Sequence, residues 1–445
     1  MVTEQKKRHF LPYFIVGLIL FYVVHWLVKL YAIAPASKGV ILFDNARLDW
    51  MMVNWSSKSL IDVDFTQTSL YGGGLAFFIV LMFYLRVGDK GRYRYGEEYG
   101  SARYATIKEI ASFRDKEPEN DMILSQNGRM GLYNKRLPFN RQLNKNTLTV
   151  GLPGDGKTLT FVKPNLMQMN SSFVITDPKG LLVRETGKML EAHGYKIKVF
   201  DLVTLTNSNQ FNVFHYMHSE LDIDRVVTAL KEGTRISSNL GEDFWNKAEI
   251  LLMRALVGYL YFDGKVLGKY EPNIAQVADL LRNMKRQDEE IPSPVERMFE
   301  ELEEELPNNY ACRQWELFKE NAEGRTEASV RFIASTVFAA FDHEAVRNLI
   351  ARDSMEMEKW QTEKTAVFIA IPETDKSFNF IATVMFTMMF RQLPQTADEI
   401  LQGLHPTCKP TDLLHIRLIL DEFANFGRFP NFTETLSSVR SREIS

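Results

Sequence analysis

Cysteine is nearly missing from this chain: its 445 residues hold only Cys312 and Cys408, and no CxxC pair. That scarcity argues against a disulfide framework and a thiolate zinc site, and for a reducing compartment around the soluble part. An excess of either charge is missing too, since 53 Lys and Arg against 56 Asp and Glu leave a net charge of −3. Such balance argues against a basic nucleic-acid coat protein and selects no partner by bulk charge. Disorder and fibre-type composition are absent as well, with 45% hydrophobic and 24% charged residues. At about 150 residues per domain, the length suggests two or three folded units.

What is present begins with a 19-residue run free of formal charge, FLPYFIVGLILFYVVHWLV, from Phe10 to Val28. A helix needs about 20 such residues to cross a hydrocarbon core. A second uncharged stretch from Phe65 ends at Arg86, and the two predict spans at about 10–30 and 67–86. A cleaved signal peptide is the competing reading of the first run, but no small-x-small site closes it and a second span follows. Lys6, Lys7 and Arg8 precede the first span, and Arg86, Lys90, Arg92 and Arg94 follow the second. That bias places both ends in the cytoplasm of a plasma-membrane protein, with a short external loop between the spans. His25 reads as a packed residue rather than a proton relay, and Gly72–Gly74 as sites of close helix packing or simple tolerance.

Past Tyr95 the chain alternates short apolar runs with amphipathic segments, the pattern of an α/β domain starting near Gly96. NTLTV leads into GLPGDGKT, Gly151 to Thr158, which fits G-x-x-x-x-G-K-[ST] behind a strand candidate. In such a loop the backbone of Gly151, Leu152, Pro153, Gly154, Asp155 and Gly156 wraps phosphates, Lys157 reaches the terminal phosphoryl oxygens, and Thr158 holds Mg²⁺. Asp155 is out of place beside a triphosphate and is expected to point outward. A second acidic site comes at the end of HIRLILDEF, where Asp421 is the candidate Mg²⁺ partner and Glu422 the general base for the attacking water. ATP and Mg²⁺ are the implied ligands.

FVITDPKG, KIKVFDL and TAVFIAIPETD supply three further strand candidates, apolar enough for a mostly parallel sheet covered on both faces. From about Tyr216 to Phe341 the spacing turns helical, predicting an all-α insertion with acidic runs at Asp288–Glu290 and Glu300–Glu305. Phe244 and Trp245 read there as core anchors rather than a base-stacking site. The expected layout is a cytoplasmic tail (1–9), a transmembrane hairpin (10–95), the first part of a nucleotide-binding domain (96–215), an all-α insertion (216–341) and its second part (342–445).

The order and wording of these motifs resemble the type IV coupling proteins of conjugation and type IV secretion, the TraG/TraD-like ATPases. YGSARYAT, GLPGDGKT, DPKG, FNVF, DFW and LILDEFANFGRFPNF carry the resemblance, and the last, with RSREIS, is similar to the Gram-positive branch. It implies a RecA-like P-loop motor with an inserted all-α domain behind a membrane hairpin. It also implies a homo-hexamer that passes relaxase-bound single-stranded DNA to a secretion channel. By the same resemblance Lys157 and Thr158 match the phosphate-loop pair, Asp421 and Glu422 the second acidic motif, and Arg440 an arginine finger, with Arg442 as its neighbour. Leu181 departs from the acidic residue that usually follows DPKG. The family pattern continues past the position of Ser445 into a strand with a polar sensor residue, so a C-terminally truncated coupling protein with impaired hydrolysis is expected. Two other readings share these features: a membrane motor for chromosomal DNA or protein export, and a nucleotide-binding docking platform without turnover. An ABC transporter lacks support, because no LSGGQ-like signature precedes the second acidic motif.

Overall fold

The computed structural model describes residues 10–35, 44–57, 59–61, 63–87, 103–234, 243–288, 290–322, 324–372, 377–422 and 432–445. The expected tail at 1–9, the basic residues Lys90, Arg92 and Arg94, the first half of YGSARYAT and the stretch from Phe423 to Asn431 lie outside those residues. So do the side chains of Asp243 and Phe244. The chain divides into two compact units, Met1–Tyr104 and Ala105–Ser445.

The first unit holds α1 (Phe10–Ile33), α2 (Asn45–Asn54) and α3 (Gln67–Val87). The 24 residues of α1, at about 1.5 Å each, exceed the ~30 Å of a hydrocarbon core. Both α1 and α3 are long and apolar enough to cross a membrane. They pack antiparallel, Gly17 against Phe77 and Gly73 against Phe21. A Cβ on Gly73 would lie 2.8 Å from the Phe21 carbonyl oxygen, so a side chain there would force the helices apart. His25 is buried, its ring 4.4 Å from that of Phe65. Sequence reading missed α2, which starts where the Asp44 carboxylate accepts the Ala46 N–H at 3.1 Å.

The second unit opens with α4 (Ile107–Ala111) and the hairpin β1 (Asp121–Ile123) with β2 (Arg129–Gly131). After the glycine-rich loop, a π turn at Thr158–Val162 runs into α5 (Lys163–Met167). Then come β3 (Ser172–Thr176), α6 (Leu181–Ala192) and β4 (Lys196–Asp201). Among the described residues seven helices follow: α7 (Leu221–Thr234), α8 (Asp243–Tyr259), α9 (Gln276–Asn283), α10 (Pro294–Glu305), α11 (Tyr310–Asn321), α12 (Arg325–Phe338) and α13 (Glu344–Ile350). The chain returns to the sheet with β5 (Thr365–Ala370), α14 (Asn379–Leu401), β6 (Ile416–Ile419) and α15 (Phe432–Ser438).

Strands pair in the order β4–β5–β3–β6, all parallel, with Val174 opposite both Val367 and Leu418. Alternate residues serve opposite faces. Phe173 and Ile175 pack with Leu166, Leu182 and Leu190 of α5 and α6, whereas Val174, Val367 and Ile369 join the core built with α7 and α14. Burial on both faces explains why these strands read as unbroken apolar runs. Gly233 of α7 lies so close to α14 that a Cβ would sit 2.8 Å from Phe380 Cα.

Two sequence expectations fail here. Thr147–Val150 is not a strand: Leu148 and Val150 are 89% and 84% exposed, and no ladder partner faces them among the described residues. The β6 edge pairs instead with the chain end, Ile416 N–H donating to Glu443 O at 2.9 Å and Leu418 N–H to Ser445 O at 2.7 Å. An apolar segment without a ladder stays extended but unpaired. Trp245 is not a core anchor either; it is 37% exposed at the start of α8.

Candidate active site

Parallel strands deliver their next residues to one edge of the sheet, and here that edge collects the chemistry. Gly154 and Gly156 take φ of +91° and +74°, left-handed values that a side chain would strain, and so turn the loop sharply before the helix. Lys157 folds over the loop, its Nζ donating to the carbonyls of Gly151 at 2.9 Å and Leu152 at 3.1 Å. Asp155 does not point outward as expected. Its Oδ2 turns back to accept the Leu152 N–H at 2.7 Å, because a free loop amide is a better partner than water for a carboxylate already held in the turn.

The two acidic and phosphate-loop motifs meet directly. Thr158 Oγ1 donates to Asp421 Oδ2 at 2.8 Å, across a sequence separation of 263 residues. Thr176, at the end of β3, holds the same corner: its hydroxyl donates to the Asp421 carbonyl at 2.7 Å. Sequence reading missed Thr176, although a polar residue closing an otherwise apolar strand was the signal. Glu422 follows with φ of +53°, a conformation a non-glycine residue adopts at a cost of about 1–3 kcal/mol, and its N–H donates to Asp421 Oδ1 at 3.1 Å. The turn presents the Glu422 carboxylate as an exposed group beside the more enclosed Asp421.

Lys157, Asp421 and Glu422 line one end of a cavity of about 510 Å³ that runs between Leu148–Thr149 and Leu418–Leu420. Lys145 and Arg417 lie deeper in it. Burial lowers the Lys145 amine to about 8, and its Nζ has no hydrogen-bond partner. Arg417 is held by Asn165 Oδ1 at 2.8 Å and is likewise lowered by burial, to about 10. Below them His415 is buried between Glu443, at 2.7 Å from Nδ1, and Ser445, at 2.9 Å from Nε2. Burial pushes this imidazole below its ordinary value against the pull of the Glu443 carboxylate.

The two candidate arginines part company. Arg442 is committed to a bidentate pair with Asp398, at 2.9 and 2.8 Å. Arg440 is exposed, and its Nη2 touches the Gln142 carbonyl. DPKG is structural: buried Asp177 accepts the N–H groups of Leu181 and Val183, both at 3.0 Å, and so caps α6 after the left-handed Gly180. Burial raises its carboxyl above the ordinary value despite those bonds.

As a donor set, a threonine hydroxyl and an aspartate carboxylate in contact suit a hard, oxygen-seeking Mg²⁺ that keeps most of its water. The loop amides and Lys157 suit a polyphosphate. A parallel α/β sheet with both groups at its carboxyl edge is the P-loop NTPase architecture read from the motifs.

The model of the family described as Type IV secretory system Conjugative DNA transfer matches residues 103–445. No curated protein sequence matches the chain. Among solved structures the chain is similar to the bacterial conjugative coupling protein TrwBdeltaN70 in its unbound monoclinic form. The identity is 14% and the TM-score 0.47, over 77% of this chain and 69% of that one. It is also similar to the plasmid coupling protein TrwB in complex with the non-hydrolysable ATP analogue ADPNP, at 14% identity and a TM-score of 0.42, over 66% and 60% of the two chains. TrwB in complex with ADP and Mg²⁺ matches at 13% identity and a TM-score of 0.36, over 68% and 67%. The structural likenesses are distant, but the family match takes in the phosphate loop and both acids at the sheet edge. The chain therefore belongs to the type IV secretory system conjugative DNA transfer family and has a role in conjugation.

Proposed function

We propose that this chain is a membrane-anchored ATPase that receives relaxase-bound single-stranded DNA and drives it into a type IV secretion channel. The observation that carries the reading is the 2.8 Å contact between Thr158 and Asp421, which joins two distant motifs into one hydroxyl–carboxylate pair beside the phosphate loop. ATP would lie with its phosphates on the amides of Gly151–Lys157, the Lys157 amine leaving the carbonyls of Gly151 and Leu152 for phosphoryl oxygens. A magnesium ion held by Thr158 and Asp421 would neutralise charge on those oxygens. Glu422, exposed by its left-handed turn, accepts the proton of the attacking water. Arg440 acts on the nucleotide of the adjacent subunit in a homo-hexamer, for which its exposure leaves it available, whereas Arg442 is spent on Asp398. α1 and α3 anchor the chain in the plasma membrane with both termini in the cytoplasm.

DNA-stimulated ATP hydrolysis by the full chain in detergent tests the proposal against Lys157→Ala and Glu422→Gln. Hydrolysis abolished by both changes, with nucleotide binding retained in Glu422→Gln, is expected. Nucleotide binding without turnover in the unaltered chain would replace the motor by a docking platform.

A further inference from the structure

The helical stretch carries an exposed aromatic groove that the nucleotide site does not use. Trp245, in the first turn of α8, and Phe332, in the middle of α12, are 37% and 71% exposed. With Ala328, Ser329 and Ile333 they line an open groove of about 450 Å³. That is within the roughly 300–1,000 Å³ of small-molecule sites, large enough for a nucleobase. Small side chains at Ala328 and Ser329 keep it open, and a larger residue at either would fill it. A single exposed ring is ordinary at a protein surface; what marks this face is that Phe332 and Trp245 line the same groove.

Charge says what covers it. Arg325 lies two helical turns before Phe332 on the same face, and Arg331 is beside it; neither has an acidic partner among the described residues. The one acid of α12, Glu327, is taken by Lys319 at 2.9 Å. No carboxylate lines the groove among the described residues. Arg325 occupies the first turn of its helix, where a cation opposes the helix dipole and is unfavourable unless an anion visits. Two exposed aromatic rings lining one groove, one of them on a helix that carries arginines without acidic partners among the described residues, suit a single-stranded nucleic acid, whose bases stack while its phosphates meet the cations.

We propose that this groove is a single-stranded DNA contact of the helical stretch, with Trp245 and Phe332 stacking bases and Arg325 and Arg331 meeting the flanking phosphates. The inference rests on the DNA-transfer reading above and gives that reading a location. Its test is fluorescence anisotropy of a labelled oligothymidylate with the full chain in detergent. Trp245→Ala and Phe332→Ala are each expected to weaken binding about tenfold, and Trp245→Phe to restore most of it. Arg325→Gln should lower the slope of log affinity against log salt by about 0.7, which a merely structural residue would not do. An unaltered chain that fails to bind the oligonucleotide would overturn the DNA-transfer reading and this site with it. Binding by the unaltered chain that survives both ring removals, with the salt slope of Arg325→Gln unchanged, would overturn this site alone and leave the groove to a protein partner.

Discussion

Two neighbouring strands end in an aspartate, and the two acids have opposite fates. At the end of β3, Asp177 is buried and both its oxygens are consumed by backbone N–H groups of α6. At the end of β6, Asp421 keeps one oxygen on the Thr158 hydroxyl and the other on the Glu422 N–H, at the mouth of a cavity. The strands are adjacent and in register, Ile175 opposite Ile419. What separates the acids is the chain that follows. Pro178 and the left-handed Gly180 bend the backbone so that the amides of α6 point back at Asp177, whereas the turn at Glu422 returns a single amide to Asp421. A carboxylate saturated by backbone donors is a structural cap, and one left with a hydroxyl partner remains able to take a metal ion.

The comparison breaks most visibly if Asp421 is neutralised. Asp421→Asn should lower ATP turnover by about 10²–10³-fold, the loss typical when one charge-stabilising group is removed from a transition state, with little change in the thermal midpoint. Asp177→Asn should do the reverse. An amide can accept only one of the two N–H groups and turns a donor toward the other, costing about 1–3 kcal/mol of stability while nucleotide affinity holds. The pH dependence sharpens the contrast. The Asp177 carboxyl is raised in the folded state, so the protonated form is favoured there, and the stability it contributes is lost as pH rises from the ordinary carboxylate value through the raised one. The cost of Asp177→Asn should therefore be larger at acid pH than at neutral pH, as read by thermal unfolding of the full chain in detergent at both.

Thr176 joins the two strand ends, so its removal tests whether they act as one unit. Thr176→Val keeps the shape and deletes the bond to the Asp421 carbonyl, for an expected loss of about 1 kcal/mol. Turnover should fall by less than tenfold, since the carboxylate itself stays in place. A fall as large as that of Asp421→Asn would mean that the position of β6, and not the charge at its end, limits the chemistry.

Much of this was readable in the residues. The four strands of the parallel sheet announce themselves as apolar runs of the right length, and the loop and acids as motifs, because burial on both faces and phosphate binding each demand particular residue types. What was not readable depends on partners in space. Thr147–Val150 has strand composition but no ladder partner among the described residues, Trp245 has core composition but is partly exposed, and the Asp155 carboxylate, which charge alone would turn away from phosphates, is claimed by the Leu152 N–H. TDPKG and LDEF look alike as strand ends, and only the direction of the following amides tells a cap from a candidate metal ligand. Arg440 and Arg442 are two residues apart, yet the Asp398 that singles out Arg442 is more than forty residues away.

Lys145 is the counterpart to both acids, a buried charge that neither backbone nor side chain satisfies. Its amine is lowered to about 8 chiefly by burial, with Glu443 pulling the other way, against about 10.4 in an unfolded chain. Between those values the unfolded state binds more protons, so this residue makes stability rise with pH across that window, and below it the folded chain carries the full cost of a buried ammonium. Lys145→Met fills similar volume without the charge and should raise stability by about 1 kcal/mol at neutral pH, the low end for replacing a buried ion with a packed apolar side chain. The gain should shrink toward zero as pH climbs from about 8 to about 10, where the amine is neutral anyway. Thermal midpoints of both proteins at the two ends of that range measure it. A gain that stays constant with pH would mean that the methionine helps by packing alone, and that the lysine is already satisfied by water in the cavity.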